Sequence, residues 1–351
     1  MTMTMTMNKM HDIIITGVSG QVGSYMAEHC LALGHRVHGM IRRTSTPNTH
    51  NYSHLLLNPN FNLIQADLTD GGSIEEIVRN IKPQYFINLA AQSFVGVSWK
   101  IPEETFNVDS LGVIRCLEAI RKNVPNCRFY NAGSSEQFGN VDYVPQDEKH
   151  PFKPRSPYGA AKCAAHHIIK VYRESYGLYA VQGLLFNHES ERRGEEFVTR
   201  KVTKGVARIS REMRSGKVNP IELGNIDAKR DWSHAIDFVD GIWKMLNRDE
   251  PKDYVLSSGE THSIREFVEL AFKSAGINGS WLKIDDTPES EVFVNGTDVL
   301  VRINPLFYRP AEVDLLLGSS DLVRKELGWE PHINFKELVN RMVHNDLINV
   351  G

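Results

Sequence analysis

From Asp12 onward the chain repeats one unit, a short and nearly uninterrupted apolar run followed by a longer segment with helical spacing. Asp12 to Thr16 is the first run, and Val22 to Leu33 reads as the helix after it, stopping at Gly34. Arg36 to Ile41, Phe61 to Ala66, Tyr85 to Leu89, Arg128 to Ala132 and Val181 to Phe186 continue the series, with helical stretches near 73–80, 104–122 and 158–176. A strand covered on both faces loses polar alternation, and strands joined through helices run parallel. The pattern therefore predicts an α/β fold built on a doubly wound parallel sheet.

Past Phe186 the regularity breaks into the polar stretch Asn187 to Arg193, followed by a basic helix from about Glu196 to Arg214. Ala235 to Leu246 reads as an amphipathic helix, and Tyr254 to Leu256 as a strand returning to the main sheet. Ile264 to Ala275, Ser320 to Leu327 and Phe335 to Leu347 are helical in pattern. The division expected is a nucleotide-binding domain of residues 11–186 plus about 229–257, and a smaller mixed α/β lobe of 187–228 plus about 258–347. The alternating Met-Thr start lacks the charged and apolar regions of a signal peptide, and residues 1–10 read as a disordered tail.

A content of 41% apolar and 24% charged residues describes a soluble globular chain, and a net charge of -3 argues against nucleic acid as a partner. No apolar stretch approaches the roughly 20 residues that cross a bilayer, so no membrane association and a cytoplasmic location are expected. The four cysteines stand singly without metal spacing. They read as small buried hydrophobes in a reducing compartment, and no metal is expected.

The first strand runs into Thr16-Gly17-Val18-Ser19-Gly20-Gln21-Val22-Gly23, which opens the first helix. Glycines let a backbone approach a pyrophosphate, and a helix N-terminus offers unpaired N–H groups, so Gly17, Gly20, Gln21, Val22 and Gly23 are candidate dinucleotide-binding residues of a Rossmann fold. At the end of the second strand, where a carboxylate would select NAD, stand Arg42 and Arg43. Two guanidiniums can clamp a 2′-phosphate, which favours NADP. Asp67 and Leu68 are placed to meet the adenine, and Leu89, Ala90, Ala91 and Ser93 to border the cofactor.

Tyr158 and Lys162 are four residues apart, so one helical turn puts phenol and ammonium on one face. The cation is expected to lower the phenol's pKa from its ordinary ~10, so that a tyrosinate takes an alcohol proton near neutral pH. Ser134-Ser135-Glu136 follows the strand ending at Ala132, on the sheet edge where such folds bind ligands. The Ser134 hydroxyl can bond a substrate oxygen. Glu136 adds a second acid/base able to remove a proton α to a new carbonyl and protonate a departing hydroxyl. Singly, these residues read better as a helix cap, a first-turn carboxylate and a surface lysine; together on this scaffold they describe a site that oxidises a secondary alcohol.

The sequence resembles the extended short-chain dehydrogenase/reductases, whose glycine spacing the loop shares, and within them the GDP-mannose 4,6-dehydratases. The resemblance runs from about Asp12 to Pro331 and is most specific in Val37 to Arg43, Leu185 to Ser190, Arg192 to Glu195, Phe197 to Lys201, Leu223 to Trp232, Gly259 to Ser263 and Arg309 to Asp314. It implies Ser134, Glu136, Tyr158 and Lys162 as catalytic residues. It implies Asn187, Glu189, Lys201, Arg230, Arg309 and Glu312 as the groups that hold a GDP-sugar. The implied reaction oxidises C4 of GDP-mannose, eliminates water across C5 and C6, and reduces C6, giving GDP-4-keto-6-deoxymannose, a precursor of GDP-fucose. A homo-oligomer is also implied, a tetramer or dimer in which residues Arg43 to Asn51 reach a neighbouring subunit's cofactor.

Three positions depart from the family pattern: Val22 replaces an aspartate, Ser134 a threonine and Glu191 a proline. Val22 removes a charge beside the pyrophosphate and Glu191 places one near the sugar lobe, which leaves a modified substrate such as a GDP-heptose as an alternative. The other alternative is a non-catalytic NADP-binding protein on the same fold.

Overall fold

The computed structural model describes residues 9–308, 311, 313 and 315–349. Its strands are β1 (Asp12–Thr16), β2 (Arg36–Ile41), β3 (Phe61–Gln65), β4 (Tyr85–Asn88), β5 (Arg128–Ala132), β6 (Ala180–Leu185), β7 (Asn187–Glu189), β8 (Ile221–Leu223), β9 (Lys229–Arg230), β10 (Trp232–His234), β11 (Tyr254–Leu256), β12 (His262–Ser263), β13 (Ser280–Lys283), β14 (Glu291–Asn295) and β15 (Asp298–Ile303). The helices are α1 (Gln21–Ala32), α2 (Gly71–Ile81), α3 (Val95–Ser98), α4 (Pro102–Phe106), α5 (Gly112–Asn123), α6 (Pro157–Tyr176), α7 (Val198–Ser215), α8 (Ala235–Leu246), α9 (Ile264–Ser274), α10 (Asp321–Leu327) and α11 (Phe335–Asn349).

Seven strands form one sheet in the order β11-β6-β5-β4-β1-β2-β3, and every pairing in it is parallel. This is the doubly wound Rossmann arrangement that the apolar runs predict, with β11 returning to the sheet beside β6. Consecutive residues of a strand face opposite sides. Ile13 and Ile15 accordingly pack with α1 and α8 through Met26, Cys30, Phe238 and Ile242. Ile14 packs on the other side with Ile74, Val78, Ile120 and Ile169 of α2, α5 and α6. The strand order reverses between β1 and β4, which opens a crevice at their carboxyl ends.

A separate core binds the rest together, with Val202, Val206 and Ile209 of α7 packed among Phe267, Phe272, Phe293, Val301 and Met342. The antiparallel strands β13, β14 and β15, with β8 parallel at the edge, form its sheet. Arg200 and Asp346 fasten α7 to α11 by a buried two-pronged ion pair of 2.7 and 3.0 Å, and Thr203 donates to the same carboxylate. Such a pair mainly sets geometry, because desolvation offsets much of its attraction.

The structure differs from the expected elements at two places that matter. The single helix expected over 104–122 is broken into α4, a π-helical turn at Asn107–Leu111, and α5. The polar stretch after Phe186 begins with a strand, because β7 pairs in parallel with β10. The long helix α6 starts where expected: Ser156 accepts from the Gly159 N–H at 3.0 Å, Pro157 stands in the first turn, and Gly177 ends it at φ +65°. The tail expected over residues 1–10 falls mostly outside the described residues.

Candidate active site

A cleft of about 1220 Å³ lies at the carboxyl ends of β1, β4, β5 and β6 and is closed on its far side by residues of α7 and of the 187–197 and 306–308 segments. Gly17, Gly20, Gln21, Val22 and Gly23 line its floor. Gly17 has φ +67°, and a Cβ there would lie 2.9 Å from Ala90 Cα. A Cβ on Gly23 would meet the Gly17 carbonyl at 2.2 Å. Gly20 caps α1 without a side-chain hydrogen bond, and no acidic residue occupies the first turn. The cradle thus offers bare N–H groups and a positive helix end, which fits a dinucleotide pyrophosphate.

The neighbouring candidates are not all in the cleft. Leu89, Ala91 and Ser93 line it, and Ala90 backs Gly17. Arg42 and Arg43 are exposed at the end of β2, outside the lining. Asp67 accepts from the Thr69 N–H and hydroxyl, both at 2.8 Å. Leu68 is core, and Arg115 donates to its carbonyl at 2.8 Å. Gln21 is tied down, donating to the His188 carbonyl at 2.8 Å and accepting from Ser190 at 2.7 Å.

Ser134, Glu136, Tyr158 and Lys162 converge on the cleft. Ser134 N-caps a short 3-10 turn: its hydroxyl accepts from the Glu136 N–H at 3.2 Å, and its own N–H donates to Gln137 Oε1 at 2.9 Å. That capping box holds the Glu136 carboxylate at the cleft wall, where the residue is 9% exposed. Tyr158 stands in the first turn of α6, and Lys162 Nζ lies 5.6 Å from the phenol ring's centre while donating to the Ala132 carbonyl at 2.9 Å.

The expected effect of the cation on the phenol is overturned. Burial pushes the Tyr158 pKa up, Asp109 and Glu136 add to this, and the Ser134 hydrogen bond and Arg193 pull against it. Burial also lowers Lys162, opposed by Asp109. Desolvation of two enclosed groups outweighs a cation that points its ammonium at a backbone carbonyl. The resting pair is therefore a neutral phenol beside a lysine anchored on Ala132.

Asp109, which the sequence reading missed, belongs to this group. It sits on the π-helical turn, 2% exposed, with Oδ1 accepting from the Gln92 N–H at 2.7 Å and Oδ2 without a hydrogen-bond partner. Burial lifts its carboxyl to about 6, against the pull of Lys162. Helical periodicity through 104–122 conceals it, since only the π-turn rotates Asp109 toward α6.

On the opposite wall, Asn187 leaves a buried Oδ1 unpaired, and Glu189 accepts from Thr199 at 2.5 Å and forms an ion pair with Arg193 at 3.1 Å. Lys201 Nζ stands 3.7 Å over the Phe307 ring. Arg230, 7% exposed, lines the cleft and donates to the Lys229 carbonyl at 2.9 Å. Arg309 and Glu312 lie outside the described residues. Both charge departures line the cleft but are engaged by neighbouring residues. Val22 is 8% exposed and packs in the core. Glu191 accepts from Tyr25 at 3.2 Å and His234 at 3.1 Å. Burial resists ionisation of Glu191, but the His234 bond and charge hold its carboxyl near about 2.

His188 stacks on Phe238 at 4.8 Å and donates from Nδ1 to the Phe186 carbonyl at 2.9 Å. Burial, with Arg193 second, pushes its imidazole down to about 4. A histidine depressed on folding stabilises fully above its ordinary pKa of ~6.5 and loses that contribution as pH falls toward the folded value. Melting temperature is expected to fall between pH ~6.5 and ~4, with roughly 3 kcal/mol from this residue. The slope should be shallower in His188→Gln; parallel slopes for the two proteins would remove His188 as its source.

A family profile described as GDP-mannose 4,6 dehydratase matches residues 14–342. The GDP-mannose 4,6 dehydratase of Drosophila melanogaster is 47% identical over 344 residues, covering 95% of this chain and 85% of the relative. That of Homo sapiens is 44% identical over 342 residues, covering 95% and 91%. Among solved structures, UDP-glucose 4-epimerase of Thermus thermophilus in complex with NAD superposes with a TM-score of 0.79 at 24% identity, covering 97% of this chain and 100% of that one. At that identity the likeness is one of fold.

Proposed function

The chain belongs to the GDP-mannose 4,6-dehydratase family, and from that premise we propose how its own residues convert GDP-mannose to GDP-4-keto-6-deoxymannose. The observation that carries the reading is the convergence of Ser134, Glu136, Tyr158 and Lys162 on a cleft floored by the glycine cradle and walled by Asn187, Glu189, Lys201 and Arg230. An alcohol dehydrogenase needs no Glu136; a dehydratase does. Purified protein with NADP is expected to give a product lighter than GDP-mannose by one water, with no net change in the nicotinamide absorbance. Unchanged substrate mass, or stoichiometric reduction of the cofactor, would defeat the reading.

A bound NADP supplies the two-electron acceptor for C4 and returns the same pair of electrons to C6. Ser134 and Tyr158 hold the C4 oxygen between them, and Tyr158 exchanges the proton. The Lys162 ammonium, fixed on Ala132, offsets the charge that the phenol acquires as it does so. Once C4 is a carbonyl the C5 proton is acidified, Glu136 removes it and delivers a proton to the departing C6 hydroxyl, and C5 takes up a proton from solvent as C6 is reduced. The enclosed wall of the cleft keeps bulk water from the carbonyl. Arg230 and Lys201 supply positive charge to the diphosphate, and the unpaired Asn187 Oδ1 an acceptor for a sugar hydroxyl.

NADP rather than NAD is supported by Arg42 and Arg43, exposed where the ribose 2′-phosphate lies in a Rossmann site. The Arg42→Ala/Arg43→Ala double variant should bind NADP about tenfold to hundredfold more weakly, with NAD affinity little changed. Fluorescence titration with both dinucleotides measures this. An equal change for the two would mean that the arginines do not read the phosphate.

We also place the lobe boundary between β6 and β7, supported by the separate cores on either side. A homo-oligomer, a tetramer or dimer, is supported by the exposed Trp99, Ile101, Phe106 and Leu111, 38–48% accessible along one short stretch. A cytoplasmic location is supported by four free, buried cysteines. Among the described residues no helix is long and apolar enough to cross a membrane.

A further inference from the structure

Four adjacent strands of the main sheet place a polar side chain at one register level: Thr16 opposite Asn88, Asn88 opposite Asn131, and Asn131 opposite Gln182. Their exposures are 0%, 2%, 1% and 0%. Buried amides and hydroxyls are costly unless bonded, and an apolar row would pack as well without that requirement. Thr16, Asn88 and Asn131 are bonded in sequence and lead to the reaction site, while Gln182 bonds separately to Gln137 and leaves its Oε1 without a partner. Thr16 donates to Asn88 Oδ1 at 2.6 Å, and Asn88 Nδ2 donates to Asn131 Oδ1 at 2.8 Å. Asn131 Nδ2 reaches the Ala132 carbonyl at 3.4 Å, the same oxygen that accepts from Lys162 at 2.9 Å.

At the other end the Thr16 hydroxyl accepts from the Leu89 and Ala90 N–H groups, both at 3.0 Å, and so fixes the chain that backs Gly17. Gln182 donates to Gln137 Oε1 at 3.1 Å, which also receives the Ser134 N–H. The donors point one way from Thr16 to Ala132, so a rotation at one residue leaves a buried partner unpaired at the next. Cofactor floor and lysine anchor are thereby linked through side chains, and the Ser134–Gln137 turn joins them through the strand register of Asn131 and Gln182.

We propose that Thr16, Asn88, Asn131 and Gln182 are positioning residues, a polar row across the sheet that sets Lys162 and the Glu136 turn in register with the cofactor-binding floor. The proposal rests on the site assignment above, and turnover of GDP-mannose by the unaltered protein checks that assignment separately.

Two variants divide the row's effects. Asn131→Leu loosens the Lys162 anchor, and its kcat should fall about tenfold to hundredfold with the KM for GDP-mannose little changed. In a single turnover the first appearance of reduced nicotinamide should slow by the same factor. Gln182→Leu loosens the Ser134–Gln137 turn instead. Because the turn carries both Ser134 and Glu136, reduced nicotinamide in this variant should appear more slowly and then persist, with elimination the step slowed most. If both variants lose activity only in proportion to their folded fraction, or show one identical signature, the row is structural and the proposal fails. The third arm does not depend on the sugar. Thr16→Val, close to isosteric, should raise the NADP dissociation constant about tenfold, and Thr16→Ser should restore it. Equal affinities for Thr16→Val and the unaltered protein would overturn the cofactor end of the row.

Discussion

Glu136→Gln should lower turnover of GDP-mannose by about 10²–10⁴-fold, while the first half-reaction continues and reduced nicotinamide accumulates in each active site. The amide is isosteric but cannot take the C5 proton or give one to the C6 hydroxyl. The Ser134 cap itself should survive, because it holds the backbone N–H of Glu136. Loss of the charge near the start of a short 3-10 turn is worth a few tenths of a kcal/mol. The chemical signature is a C4-oxidised sugar with its C6 oxygen retained, detected by mass after quenching. Normal turnover in this variant would mean that another group performs the elimination.

Tyr158→Phe should produce a loss of about the same size, 10²–10⁴-fold, with the opposite signature. No reduced nicotinamide should appear, since proton exchange at the C4 oxygen fails before elimination is reached. Burial already holds the phenol above its ordinary range. The rise of activity with pH in the unaltered protein should therefore keep the slope of a single ionisation but extend to higher pH than an unburied tyrosine would give. Lys162 should matter through its anchor on Ala132, and Lys162→Met should share the Tyr158→Phe signature. Comparing the two single-turnover traces separates oxidation from elimination within one site. Retained oxidation in Tyr158→Phe would remove the phenol from the reaction.

The main sheet was legible because Ile13, Ile14 and Ile15 leave no polar face, a pattern that only a strand buried on both sides tolerates. The glycine cradle and the Tyr158/Lys162 spacing were legible for the same reason: local geometry dictates residue type. Other parts depend on what is brought near from afar. Asn187, His188 and Glu189 have no strand pattern, and they become one by pairing with Trp232 to His234. The segment Ser280 to Ile303 pairs into strands through mutual contact, with several residues facing solvent, so it lacks the continuous apolar run of the central strands. Asp109 enters the site only because a π-helical turn interrupts the 3.6-residue period. The direction of the Tyr158 shift was misread because a cation four residues away is visible in sequence and burial is not. Glu191, a loose charge in the sequence, proves to be held by Tyr25 and His234.

The central claim is that oxidation at C4 and reduction at C6 are two halves of one event in one site, with Glu136 acting between them. GDP-mannose carrying deuterium at C4, incubated with the protein and NADP in ordinary water, tests it most directly. Deuterium is expected at C6 of the dehydrated product within the same molecule, with one solvent proton at C5. Deuterium lost to water, left in the cofactor pool or still at C4 of a dehydrated product would contradict the claim.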